Sequence, residues 1–124
     1  MKAIEIRTLD VKYQRHGSLS DWHQPYGMPM KILVSNLGDV DFEFILAVRK
    51  LVEMHLCGKS GIPATVVDSW NDSHRNIIDP GVMPDSPYRS AATKSFEVAA
   101  LLGELLNVDW IKFEARMEEV WNAR

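Results

Sequence analysis

Apolar residues recur every three or four positions across residues 41–58, a pattern that predicts a long helix at the centre of the fold. The apolar positions divide between two faces, Phe42, Ile45, Leu46, Val52 and Leu56 on one and Phe44, Val48, Leu51 and His55 on the other. Two such faces predict a helix that is covered on two sides. Asp39 or Asp41 suits the N-cap, and Gly58 suits the left-handed residue that ends a helix.

Apolar and polar residues alternate near the N-terminus, which is typical of half-buried strands. Strands are predicted over residues 2–9, 21–24 and 28–35, with a turn at 25–27 and a further short strand over 11–14. The simplest arrangement is a small antiparallel sheet of two to four strands. Because a lone hairpin is only marginally stable in water, the sheet is expected to pack on the helices.

Helical periodicity returns in the C-terminal half, where three more helices are predicted, over about 63–76, over about 86–106 and from Asp109 onward. Ser60 is the expected cap of the first of these helices, and Ser86 with Pro87 begins the second. The expected apolar positions are Val66, Val67 and Trp70, then Phe96, Ala99, Ala100, Leu102 and Leu106, then Trp110, Phe113, Met117, Val120 and Trp121. Asn107 is expected to end the helix before it, and residues 79–85, with two prolines and a glycine, are expected to be irregular.

Strands followed by helices indicate the α+β class, with a small antiparallel sheet packed on a bundle of three to four helices. The 124 residues fit one domain, strand-rich over 1–36 and helical over 40–124. A net charge of −3 argues against a protein whose whole surface binds nucleic acid and leaves a local basic patch open. No apolar run is long enough to span a membrane. The single cysteine, Cys57, suits a reducing compartment and a buried, inert thiol. We therefore expect a cytoplasmic protein.

Two charged positions on the central helix are the first candidate site. Arg49 and Glu53 are four residues apart, in line on a face that otherwise indicates burial. They form either an ion pair at the edge of the apolar stripe or part of a small polar pocket.

Other candidates lie outside that helix. Asp85, Tyr88 and Arg89 lie at the predicted start of a helix, where backbone N–H groups and a guanidinium attract anions. Alternatively, Asp85 or Ser86 only caps the helix, and Arg89 pairs with an acidic residue. Trp22 and His23 are the candidates for an exposed contact. The histidines are otherwise scattered, and each is more simply a surface residue or one with its hydrogen bonds satisfied.

The chain resembles a family of small, uncharacterised bacteriophage and prophage proteins over nearly its whole length. The resemblance is carried by Ile4-Glu5-Ile6-Arg7-Thr8, Gln14-Arg15, Asp21-Trp22, Val34-Ser35, Gly38-Asp39, Glu43-Phe44, Leu51-Val52-Glu53, Leu56-Cys57, Gly61-Ile62, Val67-Asp68, Pro84-Asp85, Pro87-Tyr88-Arg89 and Val108-Asp109-Trp110. It implies a central helix with His-Glu-Leu-x-Glu and a later helix that begins Pro-Tyr-Arg-x-x-His. Histidine and glutamate on one helical face, with a second histidine, would suit a metal site and a metal-assisted hydrolase.

This chain departs from that pattern at the metal-binding positions. Arg49, Lys50 and Ala92 stand where the resemblance implies histidine, glutamate and histidine, and only Glu53 remains. Because arginine cannot lose its proton to become a ligand, we expect no metal and no cofactor at this site. The hypothesis is that the Arg49 guanidinium supplies the positive charge and pairs with Glu53.

Three functions remain open at this stage. The favoured one is a non-enzymatic phage-type binding or modulator protein, with counter-defence as one form, that acts on a host protein or a small anionic ligand. The alternatives are a metal-dependent hydrolase of nucleotides or phosphoesters, and a virion structural or assembly protein. In the hydrolase alternative, the carboxylates available as metal ligands are those of Asp39, Asp41, Glu43 and Asp85. The large apolar groups of the last helix would also suit a homodimer.

Overall fold

The computed structural model describes residues 3–25 and 27–124, which form three strands and four α-helices. The class is therefore α+β, as predicted. The elements are β1 (Ile4–Leu9), β2 (Ser20–His23), β3 (Met30–Ser35), α1 (Val40–Lys59), α2 (Ala64–Asp72), α3 (Arg89–Leu105) and α4 (Trp110–Asn122), with 3-10 helices at Val11–Tyr13 and Pro80–Val82. No helix within the described residues combines the length and the hydrophobicity needed to cross a membrane.

The sheet has the strand order β1-β3-β2, and its pairing is mixed. β2 runs antiparallel to β3, whereas β1 runs parallel to it, with Ile6 beside Ile32. The predicted antiparallel pairing is therefore correct for β2 with β3 and wrong for β1 with β3. Alternation predicts which face a side chain takes but carries no information about strand direction, which the intervening chain decides. As an edge strand, β1 leaves Ile6 56% exposed.

Two short segments differ from the prediction. Residues 11–14, expected to add a strand, contain a 3-10 helix that starts where the Asp10 carboxylate accepts from the Lys12 N–H. The loop at 79–85 contains the second 3-10 helix, whose first residue is Pro80. The turn predicted at 25–27 includes Tyr26, which lies outside the described residues; Gly27 has a φ of 70°.

Helix α1 packs against β2 and β3 on one side and against α3 on the other. Its start is as predicted, because the Asp39 carboxylate accepts hydrogen bonds from the N–H groups of Asp41 and Phe42. Its end is not, since the helix continues through Gly58 and the left-handed conformation falls on Gly61, with φ 71°. Ser60, expected to cap the next helix, instead follows the last turn of α1.

The two predicted apolar faces of α1 differ in how far they are buried. The first apolar face is confirmed at Ile45 and Leu46, which are 0% and 1% exposed. The second was predicted to bury Phe44, but that ring is 48% exposed. The buried positions of α1 also include three charged side chains, those of Arg49, Lys50 and Glu53.

The remaining helices close the core around α1. In α2, Val67 is buried and Val66 is exposed, and the helix ends earlier than predicted. Helix α3 begins at Arg89, with Tyr88 as the capping residue. Helix α3 packs against α1 and has small buried residues at Ala91, Ala92, Ser95 and Ala99. Gly103, also small and buried, lies against Trp110 of α4. Ala100, predicted to lie in the apolar stripe, is exposed.

Helix α4 has the predicted start, and of its predicted apolar positions Phe113 and Val120 are buried, whereas Trp110, Met117 and Trp121 are half-buried. Its N-cap is Asp109, whose carboxylate accepts from the Lys112 N–H, and Asn107 before it takes a left-handed φ of 53°. The Phe113 ring lies 5.1 Å from that of Phe42, centroid to centroid, which ties α4 to the start of α1.

Candidate functional site

Three charged side chains of α1 are buried. Arg49, Lys50 and Glu53 are 5%, 8% and 2% exposed, and they lie in neighbouring turns of the same helix. Burying an ion costs several kcal/mol unless close partners compensate for the lost water. Their hydrogen bonds therefore decide what the site can do.

Glu53 is held from two sides. The Trp22 indole Nε1 on β2 donates to Oε2 at 2.9 Å, and the Lys50 ammonium donates to both carboxylate oxygens at 3.2 and 3.4 Å. The predicted pair between Arg49 and Glu53 is wrong. Lys50, three residues before Glu53, forms this ion pair instead. On a helix, residues three apart and residues four apart are both neighbours, so the spacing alone did not favour Arg49 over Lys50.

Arg49 reaches across to the loop before α3. Its Nη2 donates to the Asp79 carboxylate at 2.6 Å, and its guanidinium carbon lies 3.8 Å from the centroid of the Phe96 ring. Both contacts keep the guanidinium on the α3 side of α1, away from Glu53. Among the described residues its Nε is buried without a hydrogen-bond partner.

These side chains surround a small polar cavity of about 20 Å³. Its walls include Arg49, Lys50 and Glu53 from α1, Asn71 from α2 and Tyr88 from the start of α3. A space of this size holds one water molecule. The predicted polar pocket therefore exists, but its volume is that of a hydration site and is too small for a nucleotide.

The three candidate residues at the start of α3, Asp85, Tyr88 and Arg89, do not form one site. The Tyr88 ring is buried, its hydroxyl donates to the Asn71 side chain, and burial, followed by the nearby Glu53 charge, raises its pKa. Asp85 and Arg89 are exposed. The predicted grouping of Asp85, Tyr88 and Arg89 around one anion is not formed, because Tyr88 points into the core.

Trp22 and His23 do not form the predicted exposed contact. Trp22 is 5% exposed, and its indole N–H is used by Glu53. His23 is half-buried, and burial, followed by the charge of Arg15, lowers its pKa. Trp22 lies on the short edge strand β2, and its side chain faces α1. Alternation along a strand separates its two faces but does not show which of them is buried.

A second charged group, which we call the Arg15 network, joins the loop before β2 to α2. It consists of Arg15, His16, Asp21, Asp68 and Asp72. Arg15 donates to Asp21 at 2.8 Å and to Asp68 at 3.0 Å, and His16 is 2.8 Å from Asp72. Burial raises the pKa of Asp21, with Arg15 opposing, while the hydrogen bond from His16 lowers the pKa of Asp72.

Three members of the Arg15 network have the chemistry of metal ligands. One ligand atom each from His16, Asp21 and Asp68 lies within 4.8 Å of the other two. The guanidinium of Arg15 already bonds both carboxylates, so a divalent ion would have to displace it. Sequence reasoning missed this group because Asp68 is 52 residues from His16. The only signal was that Arg15, Asp21 and Asp68 all fall in segments that carry the family resemblance.

An open groove of about 450 Å³ lies between α4, α3 and the loop before the second 3-10 helix. We call it the α4 groove. Its apolar residues are Ile78, Phe96, Trp110, Met117 and Trp121, and its polar residues are Asp79, Glu114, Glu118 and Asn122. The sequence predicted the apolar positions of α4 as core. Trp110, Met117 and Trp121 are in fact half-buried, so part of each side chain faces this groove.

Cys57 has no part in these sites. The side chain is buried, and burial together with the nearby Glu53 charge raises the pKa of its thiol to about 12. The prediction of a buried thiol is confirmed. A thiol with this pKa is almost wholly protonated at neutral pH and is a poor nucleophile.

No family model, no curated protein and no solved structure matches the chain.

Proposed function

We propose that this chain is a non-enzymatic binding protein of the phage type, which modulates a host protein by docking it in the α4 groove. The observation that carries the proposal is the groove itself. Two tryptophans, a methionine and a phenylalanine reach its surface together. Aromatic residues and methionine are enriched at protein interfaces, and tryptophan is among the residues that contribute most to binding energy. Rigid helices hold them in place, which limits the entropy lost when a partner binds.

The chemistry of the buried charges supports binding over catalysis. Arg49 is engaged by Asp79, and Glu53 is engaged by Trp22 and Lys50. Apart from the Arg49 Nε, which is buried without a partner among the described residues, these bonds occupy the charged groups within the fold, and the cavity beside them has room for one water molecule. Arg49 therefore ties α1 to the loop at Asp79, which forms one wall of the α4 groove.

Crosslinking in cells of the bacterial host tests this proposal. A photo-crosslinking amino acid replaces Glu118 on the groove, and a matched control replaces Glu104, which is exposed on α3 outside the groove. We expect one defined host protein to be crosslinked at position 118 and not at 104, and to form a stoichiometric complex when purified. No adduct at position 118, or the same adducts at both positions, would refute binding through this groove.

The metal-dependent hydrolase remains the second candidate, because the Arg15 network places His16, Asp21 and Asp68 at ligand distance. On that hypothesis Mn²⁺ or Zn²⁺ displaces Arg15, raises the melting temperature and supports hydrolysis of bis-p-nitrophenyl phosphate. Asp68→Asn should then abolish both effects. If the thermal shift and the hydrolysis are absent in the wild-type protein, the binding proposal stands alone.

A further inference from the structure

The α4 groove has a charge pattern that specifies the chemistry of its partner. Glu114 and Glu118 are four residues apart and exposed on one side of α4, and Asp79 lies on the groove as well. Asp79 is neutralised by Arg49. Within residues 3–25 and 27–124, neither Glu114 nor Glu118 forms an ion pair. Two like charges one helical turn apart repel each other, so a cation placed between them relieves that repulsion.

We call Glu114 and Glu118 the acidic edge of the groove, and the apolar residues of the groove lie beside it. The Trp110 ring packs edge-on against Phe113, with a centroid distance of 5.0 Å, and its other atoms lie against Gly103. The Trp121 ring is covered by the Arg124 guanidinium at 4.2 Å. These contacts limit the movement of both rings, which suits the groove to one bulky apolar side chain.

We propose that the α4 groove binds a short protein segment in which a large aliphatic or aromatic residue is flanked by lysine or arginine. This inference rests on the proposed function and names the class of partner. Anionic lipid surfaces and nucleic acids both carry the same sign of charge as Glu114 and Glu118, so the acidic edge disfavours them. The net charge of −3 on the whole chain adds to the attraction for a basic segment and speeds its association.

The test uses three short synthetic peptides labelled with fluorescein, and binding is measured by fluorescence anisotropy. The first peptide has Leu-Trp between two Lys-Arg pairs, the second has Asp-Glu pairs in place of Lys-Arg, and the third has Ala-Ala in place of Leu-Trp. We expect the first to bind with a Kd on the order of 10 µM and the other two at least about tenfold more weakly. Binding of the first should weaken as salt is added.

Matched protein variants locate the binding site. The double change Glu114→Gln with Glu118→Gln removes the acidic edge, whereas Glu97→Gln with Glu104→Gln removes the same charge from exposed positions of α3. We expect the first pair to weaken binding about tenfold and the second to leave it within about twofold. All four positions are exposed, so circular dichroism and thermal melting should show that both variants keep the fold. In NMR spectra, the indole signals of Trp110 and Trp121 should shift on peptide addition.

Three results would overturn this inference: no binding of the basic peptide, equal binding of the acidic peptide, or equal affinity in both double variants. Its failure is separable from failure of the proposed function. If the peptide does not bind but position 118 still crosslinks a host protein, the groove docks a protein of different chemistry. If neither peptide nor crosslink is observed, both proposals fall.

Discussion

At the scale of single residues, the pair formed by Lys50 and Glu53 is the most consequential feature of the core. Both side chains are buried, and the carboxylate also accepts the indole N–H of Trp22. A buried charge that loses its partner is strongly destabilising, whereas removal of both charges together is often neutral. The two members of the pair should therefore show strong coupling on mutation.

We predict that Glu53→Gln, which keeps an acceptor for Trp22 but removes the negative charge, lowers the free energy of unfolding by about 3 kcal/mol. Adding Lys50→Met removes the orphaned ammonium and should restore most of that loss. Urea denaturation of the wild type, both single variants and the double variant forms the cycle that isolates the interaction. Strictly additive losses would mean that the two groups do not stabilise each other.

The sequence predicted that Arg49 and Glu53 lie on a buried face of α1, but it predicted neither the burial of Lys50 nor the partners of these charges. Spacing places Arg49, Lys50 and Glu53 close enough for either cation to reach the carboxylate. The choice depends on Asp79 and Phe96, which attract the guanidinium from elsewhere in the chain. Contacts over such separations leave no periodic signal, and the same reason hid the Arg15 network.

At the scale of the elements, helix bodies were predictable and helix ends were less so. The starts of α1 and α4 follow from aspartates that accept backbone N–H groups, which is a local property. The end of α1 was misplaced because Gly58 and Gly61 both suit a terminator. Only the bonds beyond the helix choose between them, including that from the Ile62 N–H to the Cys57 carbonyl.

Two glycine substitutions test this element-level account, and each is the control for the other. Gly58→Ala adds a methyl group where nothing lies within 4 Å and the backbone is helical, so we expect a gain of about 0.4–1 kcal/mol. Gly103→Ala places a Cβ 2.8 Å from the Trp110 ring and should cost roughly 1–3 kcal/mol, with α4 displaced. Urea denaturation measures both. A loss of stability in the Gly58→Ala variant would indicate that Gly58 has a left-handed conformation and ends α1.

At the scale of the whole molecule, α1 is the element that joins the sheet to the helices. Ile32 and Val34 on β3 are 0% and 1% exposed, and β3 and β2 contact α1, whose other side contacts α3. The sequence pattern could predict this layering, because both β3 and α1 show buried faces. It could not predict that β1 pairs in parallel, since a strand's apolar pattern is the same in either direction.

The buried face of the sheet packs on α1, so we predict that sheet and helices unfold in one cooperative step. Amide hydrogen exchange measures this directly, through the N–H groups of Ile32 in β3 and Ile45 in α1. Both should exchange with the free energy of global unfolding, and their dependence on urea should be equal. The fragment 1–36 is the control, and its circular dichroism should show an unfolded chain. If the Ile32 N–H exchanges with a clearly lower free energy than the Ile45 N–H, the sheet opens by itself. The packing of the sheet on α1 would then not make the two parts unfold together.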